Sequence, residues 1–134
     1  MAAVFLVDDD DVSRQIVRKM IERAGHHVDE ASDGEAALAA LDRGLRPDCV
    51  VLDLMMPRLD GVSVLRRMTG DPRWSSIPVL LMTSLDAGRE VEEARSLGFR
   101  RHFVKAYWHV GDLLQTIDHA THTSTTSGAR AIAN

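Results

Sequence analysis

The sequence predicts a doubly wound α/β fold, and three observations carry that prediction. Short apolar runs alternate with helix-length amphipathic stretches five times along the chain. Two of those runs, CVVL and VLLM, are apolar throughout instead of alternating, as parallel strands covered by helices on both faces must be. Glycines and capping residues separate the runs, so each one is followed by its own helix.

The elements follow from their own residues. Strands are placed near 3–8, 27–31, 48–53, 78–83 and 100–104. In the first helical stretch Val12, Ile16, Met20 and Ala24 recur every four residues and predict the buried stripe, with Gly25 as the stop. Ser32 and Glu35 have the spacing of a capping box ahead of the Ala/Leu-rich segment that ends at Gly44. Asp60 is placed to cap a helix beginning near Gly61. Residues 1–120 are expected to form one domain, and 121–134, rich in Thr, Ser and Ala, a flexible tail or the start of a linker.

Composition narrows the function classes. A hydrophobic share of 45% with 27% charged residues belongs to a folded globular chain. No apolar run approaches the roughly 18 residues that span a bilayer, and MAAVFLV lacks the charged start of a leader peptide. A cytoplasmic protein without membrane contact is the reading. The one cysteine, Cys49, excludes an internal disulfide, and its neighbours Val50 and Val51 predict a buried, inert thiol. A formal charge of -4 offers no basic field for phosphate backbones, so no direct nucleic-acid binding is expected. The pairs Arg66-Arg67 and Arg100-Arg101 read as solvated faces.

In an open parallel sheet, ligands gather beyond the carboxyl ends of the strands. Asp8 and Asp9 follow the first strand and Asp53 ends the third, so three carboxylates should converge there. Two carboxylates about 4 Å apart repel by roughly 4 kcal/mol at an effective dielectric near 20, and a cation must relieve them. Oxygen donors with no His or Cys nearby in sequence suit Mg²⁺ better than zinc. The run Asp8–Asp11 also has a plainer reading as a solvated acidic turn, in which Asp10 or Asp11 caps the first helix. Thr83 ends the fourth strand and Lys105 follows the fifth, adding a hydroxyl and an ammonium to the carboxylates. Either residue alone would be ordinary surface. Together the group suits phosphoryl transfer to a carboxylate, with Asp53 as nucleophile and Lys105 and Thr83 binding phosphoryl oxygens.

Four segments, LVDDD, LDLMMPRLDG, IPVLLMTS and FVK, resemble the receiver family of two-component response regulators over roughly residues 3–120. The resemblance implies a flavodoxin-like five-stranded parallel sheet of order 2-1-3-4-5 with five helices. It implies that Asp53 is the phosphoacceptor, and that Asp9, Asp53 and the backbone carbonyl of Met55 ligate Mg²⁺ or Mn²⁺. Asp8 would act mainly through a coordinated water. Thr83 carries over as the switch hydroxyl and Lys105 as the phosphate-binding lysine. Pro57 and Gly61 match the turn after the acceptor, Pro fixing φ and Gly permitting an otherwise strained backbone. The implied function is a phosphorylation-dependent signalling switch that catalyses only its own phosphorylation and dephosphorylation. The implied partners are a sensor histidine kinase or histidine phosphotransfer protein, and a downstream protein on the face made by the fourth helix, fifth strand and fifth helix.

Departures from the family pattern add expectations. Lys105 is followed by Ala106, Tyr107 and Trp108 where the family has a proline after a cis bond. A trans bond is expected here, because a cis non-proline peptide costs about 2.5–4 kcal/mol. His102 stands where the family has its aromatic switch residue, and is either a switch that turns inward as Thr83 moves or an exposed strand histidine. Met55 and Leu85, the positions that flank the attacking water, are apolar and predict a long-lived phosphorylated state. His26, His27, His109, His119 and His122 form no ligand set. A metal-dependent phosphohydrolase resembling the haloacid dehalogenase family would need an Asp where Met55 stands. A degenerate receiver is kept open by the missing proline and opposed by the intact Asp9, Asp53, Thr83 and Lys105.

Overall fold

The computed structural model describes residues 1–84, 88–105 and 109–123. Five βα units follow one another: β1 (Ala3–Val7), α1 (Asp11–Arg23), β2 (His27–Ala31), α2 (Gly34–Asp42), β3 (Cys49–Asp53), α3 (Gly61–Thr69), β4 (Val79–Thr83), α4 (Gly88–Arg95), β5 (Arg101–Val104) and α5 (Val110–Thr123). Every strand pair is parallel and the order is β2-β1-β3-β4-β5. The chain starts in the middle of the sheet, winds outward to β2 and then reverses past β1, so the winding direction changes between β1 and β3. That switch point is where the carboxyl ends of two neighbouring strands open a crevice.

The sheet is buried on both faces, as its unbroken apolar strands require. On one face Phe5, Val7, Val50, Leu52 and Leu81 pack with residues of α2, α3 and α4, including Leu38, Leu65 and Val91. On the other, Val4, Leu6, Val51, Leu80, Met82 and Phe103 pack against Val17 and Ile21 of α1 and Leu113 and Ile117 of α5. The period of two along each strand divides its side chains between these two cores. Cys49 is fully buried in the second core, and burial pushes its thiol up to about 12, so it is inert. No helix among the described residues is long and apolar enough to cross a membrane.

Three local expectations are corrected. The buried side of α1 is carried by Val17 and Ile21, while Val12 is 67% and Ile16 49% exposed. A strict spacing of four drifts around a helix of 3.6 residues per turn, so the Val12–Ala24 stripe does not point at one core. At α2 the cap is Asp33, whose carboxylate accepts from the Ala36 amide at 2.7 Å, and not the Ser32–Glu35 box. In the turn after Asp53 the left-handed residue is Arg58, at φ 65, and not Gly61. Gly61 serves a different need: a Cβ there would lie 2.4 Å from the Asp53 carbonyl oxygen and 2.5 Å from the Leu54 Cα. The start of α3 therefore presses directly on the end of β3, and only glycine fits. Asp60 does cap α3, accepting from the Ser63 amide at 2.9 Å, and Gly25 and Gly44 follow α1 and α2 at φ 96 and 113.

Leu85, the Lys105–Ala106 peptide with Tyr107 and Trp108, and all residues from 124 onward lie outside the described residues. The helix α5 runs to Thr123, past the start of the expected tail at 121.

Candidate functional site

Register assembles the site. The last β1–β3 pair is Val7↔Leu52, so the next residue of each strand, Asp8 and Asp53, emerges side by side. Asp9 follows on the turn into α1. One carboxylate oxygen from each of Asp8, Asp9 and Asp53 can be chosen so that all three lie within 4.8 Å of one another. Asp8 and Asp53 are buried, and Asp9 is the most exposed of the three. On the far side, β5 delivers Lys105, whose ammonium donates to Asp53 Oδ2 at 3.2 Å and to Asp8 Oδ2 at 3.3 Å.

The remaining oxygens are held by the backbone. Asp53 Oδ1 accepts from the Met55 amide at 3.0 Å and Asp8 Oδ1 from the Asp10 amide at 3.0 Å. Met55 thus lies with its backbone against Asp53, and it lines a groove with Leu54, Met56, Asp60 and Glu90. The rim beside Met55 is therefore not purely apolar, since Glu90 of α4 reaches it. Asp10, the third acid of the run, caps α1 by accepting from the Val12 amide at 3.1 Å. Thr83 is buried at the end of β4, and its hydroxyl donates to the Phe103 carbonyl of β5 at 3.4 Å. Its own carbonyl accepts from the Lys105 amide at 2.7 Å, so the hydroxyl and the ammonium are mounted on one β4–β5 junction.

The electrostatics are out of balance. Burial pushes Asp53 up to about 6, against the pull of the Lys105 charge and with the added repulsion of Asp8. Burial also pulls Lys105 down, but the charges of Asp53 and Asp8 outweigh it and hold the ammonium above its ordinary value. One cation faces three carboxylates, and the surplus negative charge lies on oxygen donors. That donor set fits a hard divalent cation such as Mg²⁺ or Mn²⁺.

His102 lies with its ring edge-on to Phe99, 6.1 Å between centroids. The pairs Leu81↔His102 and Thr83↔Val104 put His102 and Thr83 on the same side of the sheet. Among the other histidines, His26 has a structural task that the sequence did not reveal: its Nδ1 accepts from the Ala2 amide at 3.0 Å, and its Nε2 lies 3.4 Å from Asp118. Arg14 was also missed. It lies behind Asp8, donating to the Asp8 carbonyl, and only its place one turn into α1 hinted at that.

Comparison with known proteins points to one family and agrees with the fold. A family profile described as response regulator receiver domain matches residues 4–118. The chain is 34% identical over 118 residues to the gliding motility regulatory protein of Myxococcus xanthus, covering 88% of this chain and 15% of that one. It therefore spans a small part of that relative's length. It is 33% identical over 105 residues to protein PilH of Pseudomonas aeruginosa, covering 78% of this chain and 86% of PilH. Among solved structures, the chemotaxis protein CheY4 of Vibrio cholerae superimposes with a TM-score of 0.79 at 28% identity, covering 90% of this chain and 98% of that one.

Proposed function

Because the chain belongs to the response regulator receiver family of two-component signalling, we propose that it is a switch which accepts a phosphoryl group on Asp53 and changes its affinity for a partner protein. The observation that carries this reading is the convergence of Asp8, Asp9 and Asp53 with the Lys105 ammonium at the winding switch point. A carboxylate that burial disfavours as an anion gains most from a cation beside it, and gives up its single negative charge, shared over two oxygens, when one of them bonds to phosphorus.

In the transfer, an Asp53 carboxylate oxygen forms a bond to phosphorus while the P–N bond of a donor phosphohistidine breaks. The electron pair leaves with the imidazole. Asp9, Asp53 and the Met55 carbonyl would hold Mg²⁺ or Mn²⁺ directly, and Asp8 would hold it through a water. The metal supplies positive charge that offsets the phosphoryl oxygens. Lys105, already in reach of Asp53, moves its ammonium to a phosphoryl oxygen, and the Thr83 hydroxyl leaves the Phe103 carbonyl for another. Hydrolysis reverses the state: water attacks phosphorus, the Asp53 oxygen leaves as carboxylate and phosphate is released. The cycle is self-catalysed, with the donor protein supplying only the phosphoryl group.

The signal leaves through β5. This strand is one of the two edges of the sheet, and its junction with β4 carries both Thr83 and Lys105. Movement of Thr83 opens space on the side of the sheet that His102 shares, so His102 turns inward and the α4–β5–α5 face takes a second packing. The donor is a sensor histidine kinase or a histidine phosphotransfer protein, the target is a protein, and the setting is the cytoplasm. Residues 1–120 are the switching unit and 121–134 its tail or linker.

The test is incubation with acetyl phosphate and Mg²⁺, read by intact mass. Wild type should gain one phosphoryl group, and Asp53→Asn none. A wild type that stays unmodified, or an Asp53→Asn protein that is modified to the same extent, overturns the reading.

A further inference from the structure

Arg14 is an unexpected neighbour for a cation site. Its side chain is only 13% exposed, and its guanidinium is spread over three partners. Nη1 donates to the Asp8 carbonyl at 2.7 Å, Nε to Glu30 Oε1 at 2.7 Å and Nη2 to Asp11 Oδ1 at 2.7 Å. These partners lie at the end of β1, in β2 and at the start of α1, so one planar group braces three elements. Glu30 is braced in turn by Arg18, which also pairs with Glu22 at 3.0 Å.

The carbonyl that Arg14 holds belongs to the Asp8–Asp9 peptide. A peptide is planar, so fixing its oxygen fixes the direction in which the chain leaves Asp8 and the place of the Asp9 Cα. The other side of Asp8 is tied as well, its amide donating to the Ala31 carbonyl of β2 at 3.2 Å. The two acids are thereby set by backbone bonds on both sides of Asp8, and Arg14 supplies the one on the Asp9 side. Its charge is already matched by Asp11 and Glu30, which limits its field at the carboxylates.

We infer that Arg14 is a positioning residue for the divalent-cation site, acting through the Asp8–Asp9 peptide and braced by Glu30. The inference rests on the function proposed above. It opposes a plain electrostatic role, and the two differ in sign. A cation beside the site repels Mg²⁺, so if charge were its effect, removal would tighten Mg²⁺ binding. If it positions Asp8 and Asp9, removal weakens binding.

The measurement is calorimetric titration of Mg²⁺ into folded protein, with thermal melts in metal-free buffer to record stability separately. Arg14→Met, which keeps the stem and removes charge and donors, should weaken Mg²⁺ binding about tenfold, the scale seen when groups that orient metal ligands are removed. Arg14→Lys, which can reach the carbonyl but not all three partners, should fall between. Glu30→Gln, whose carboxylate holds Arg14 and Arg18, should weaken binding in the same direction by removing the brace. A purely structural role would lower the metal-free melting temperature and leave Mg²⁺ affinity of the folded protein unchanged. Unchanged or tighter binding in Arg14→Met overturns the inference. If Arg14→Met does not fold, unchanged binding in both Arg14→Lys and Glu30→Gln overturns it. Wild type that binds no Mg²⁺ sinks the functional reading and this inference with it, whereas equal binding by wild type and Arg14→Met sinks the inference alone.

Discussion

The two ends of β3 show the same force with opposite results. Cys49 begins the strand and Asp53 ends it, and burial pushes both groups up, Cys49 to about 12 and Asp53 to about 6. At the Cys49 end the charge of Asp48 adds to the push, and the thiol stays neutral and inert. At the Asp53 end Lys105 pulls the other way, and the carboxyl ionises near neutral pH at a place where its charge is only partly offset. Burial alone makes a silent group. A reactive one needs burial opposed by a cation that falls short of full compensation.

The contrast can be broken most severely at Gly61. Replacing it with Ala places a Cβ 2.4 Å from the Asp53 carbonyl oxygen, which must move β3 or α3. Denaturant unfolding should show a loss of about 3 kcal/mol, since overpacking against backbone cannot be relieved by a side-chain rotation. A loss below about 1 kcal/mol would show that the end of β3 is not held by α3.

The comparison is sharpened by completing the charge balance at the Asp53 end. If the proposed site is right, Mg²⁺ binds only the assembled carboxylates and should stabilise the fold by about 2.7 kcal/mol at a hundredfold excess over its Kd. Thermal melts with and without Mg²⁺ should show a rise that Asp9→Asn largely abolishes. No rise in wild type would count against the metal site.

A somewhat smaller effect tests the cost of the Asp53 charge. A carboxyl whose folded value lies near 6 and whose unfolded value lies near 4 holds its proton more tightly when folded. Stability is therefore lost as pH rises from 4 to 6; two pH units are worth about 2.7 kcal/mol, which solvent screening at this partly open site reduces to about 2 kcal/mol above pH 6. Without metal, Asp53→Asn removes that penalty, while Lys105 keeps Asp8 as a partner. The mutant should be more stable than wild type at pH 7.5, and the gap should close below pH 4. A gap that grows as pH falls would reverse the assignment.

The mildest change concerns the silent end. Cys49→Ala removes a buried sulfur and should cost about 1 kcal/mol by chemical denaturation, without altering Mg²⁺ affinity. In wild type, a maleimide at pH 8 should label Cys49 only after denaturant is added. Rapid labelling of the native protein would erase the contrast between the two ends.

Much of this is legible in the sequence alone. Composition and period located each strand to within about a residue, because a doubly buried strand needs an unbroken apolar run and a turn residue at each end. The strand ends then placed Asp8, Asp53, Thr83 and Lys105 at one edge, since parallel winding leaves no other arrangement. Tertiary structure decided what local pattern cannot carry. Which side of α1 is buried depends on how the helix docks, and one residue of rotation turns a side chain by 100°. The choice of Asp33 over Ser32 as cap, and the tight fit of Gly61 under β3, depend on where neighbouring elements come to rest. The contact between Lys105 and Asp8 spans 97 positions, and the hold of Arg14 on the Asp8 carbonyl needs Glu30 of β2 beside it. Hydrophobic period acts along the chain and can be read there, whereas a charge is balanced by whatever stands within a few ångströms in space.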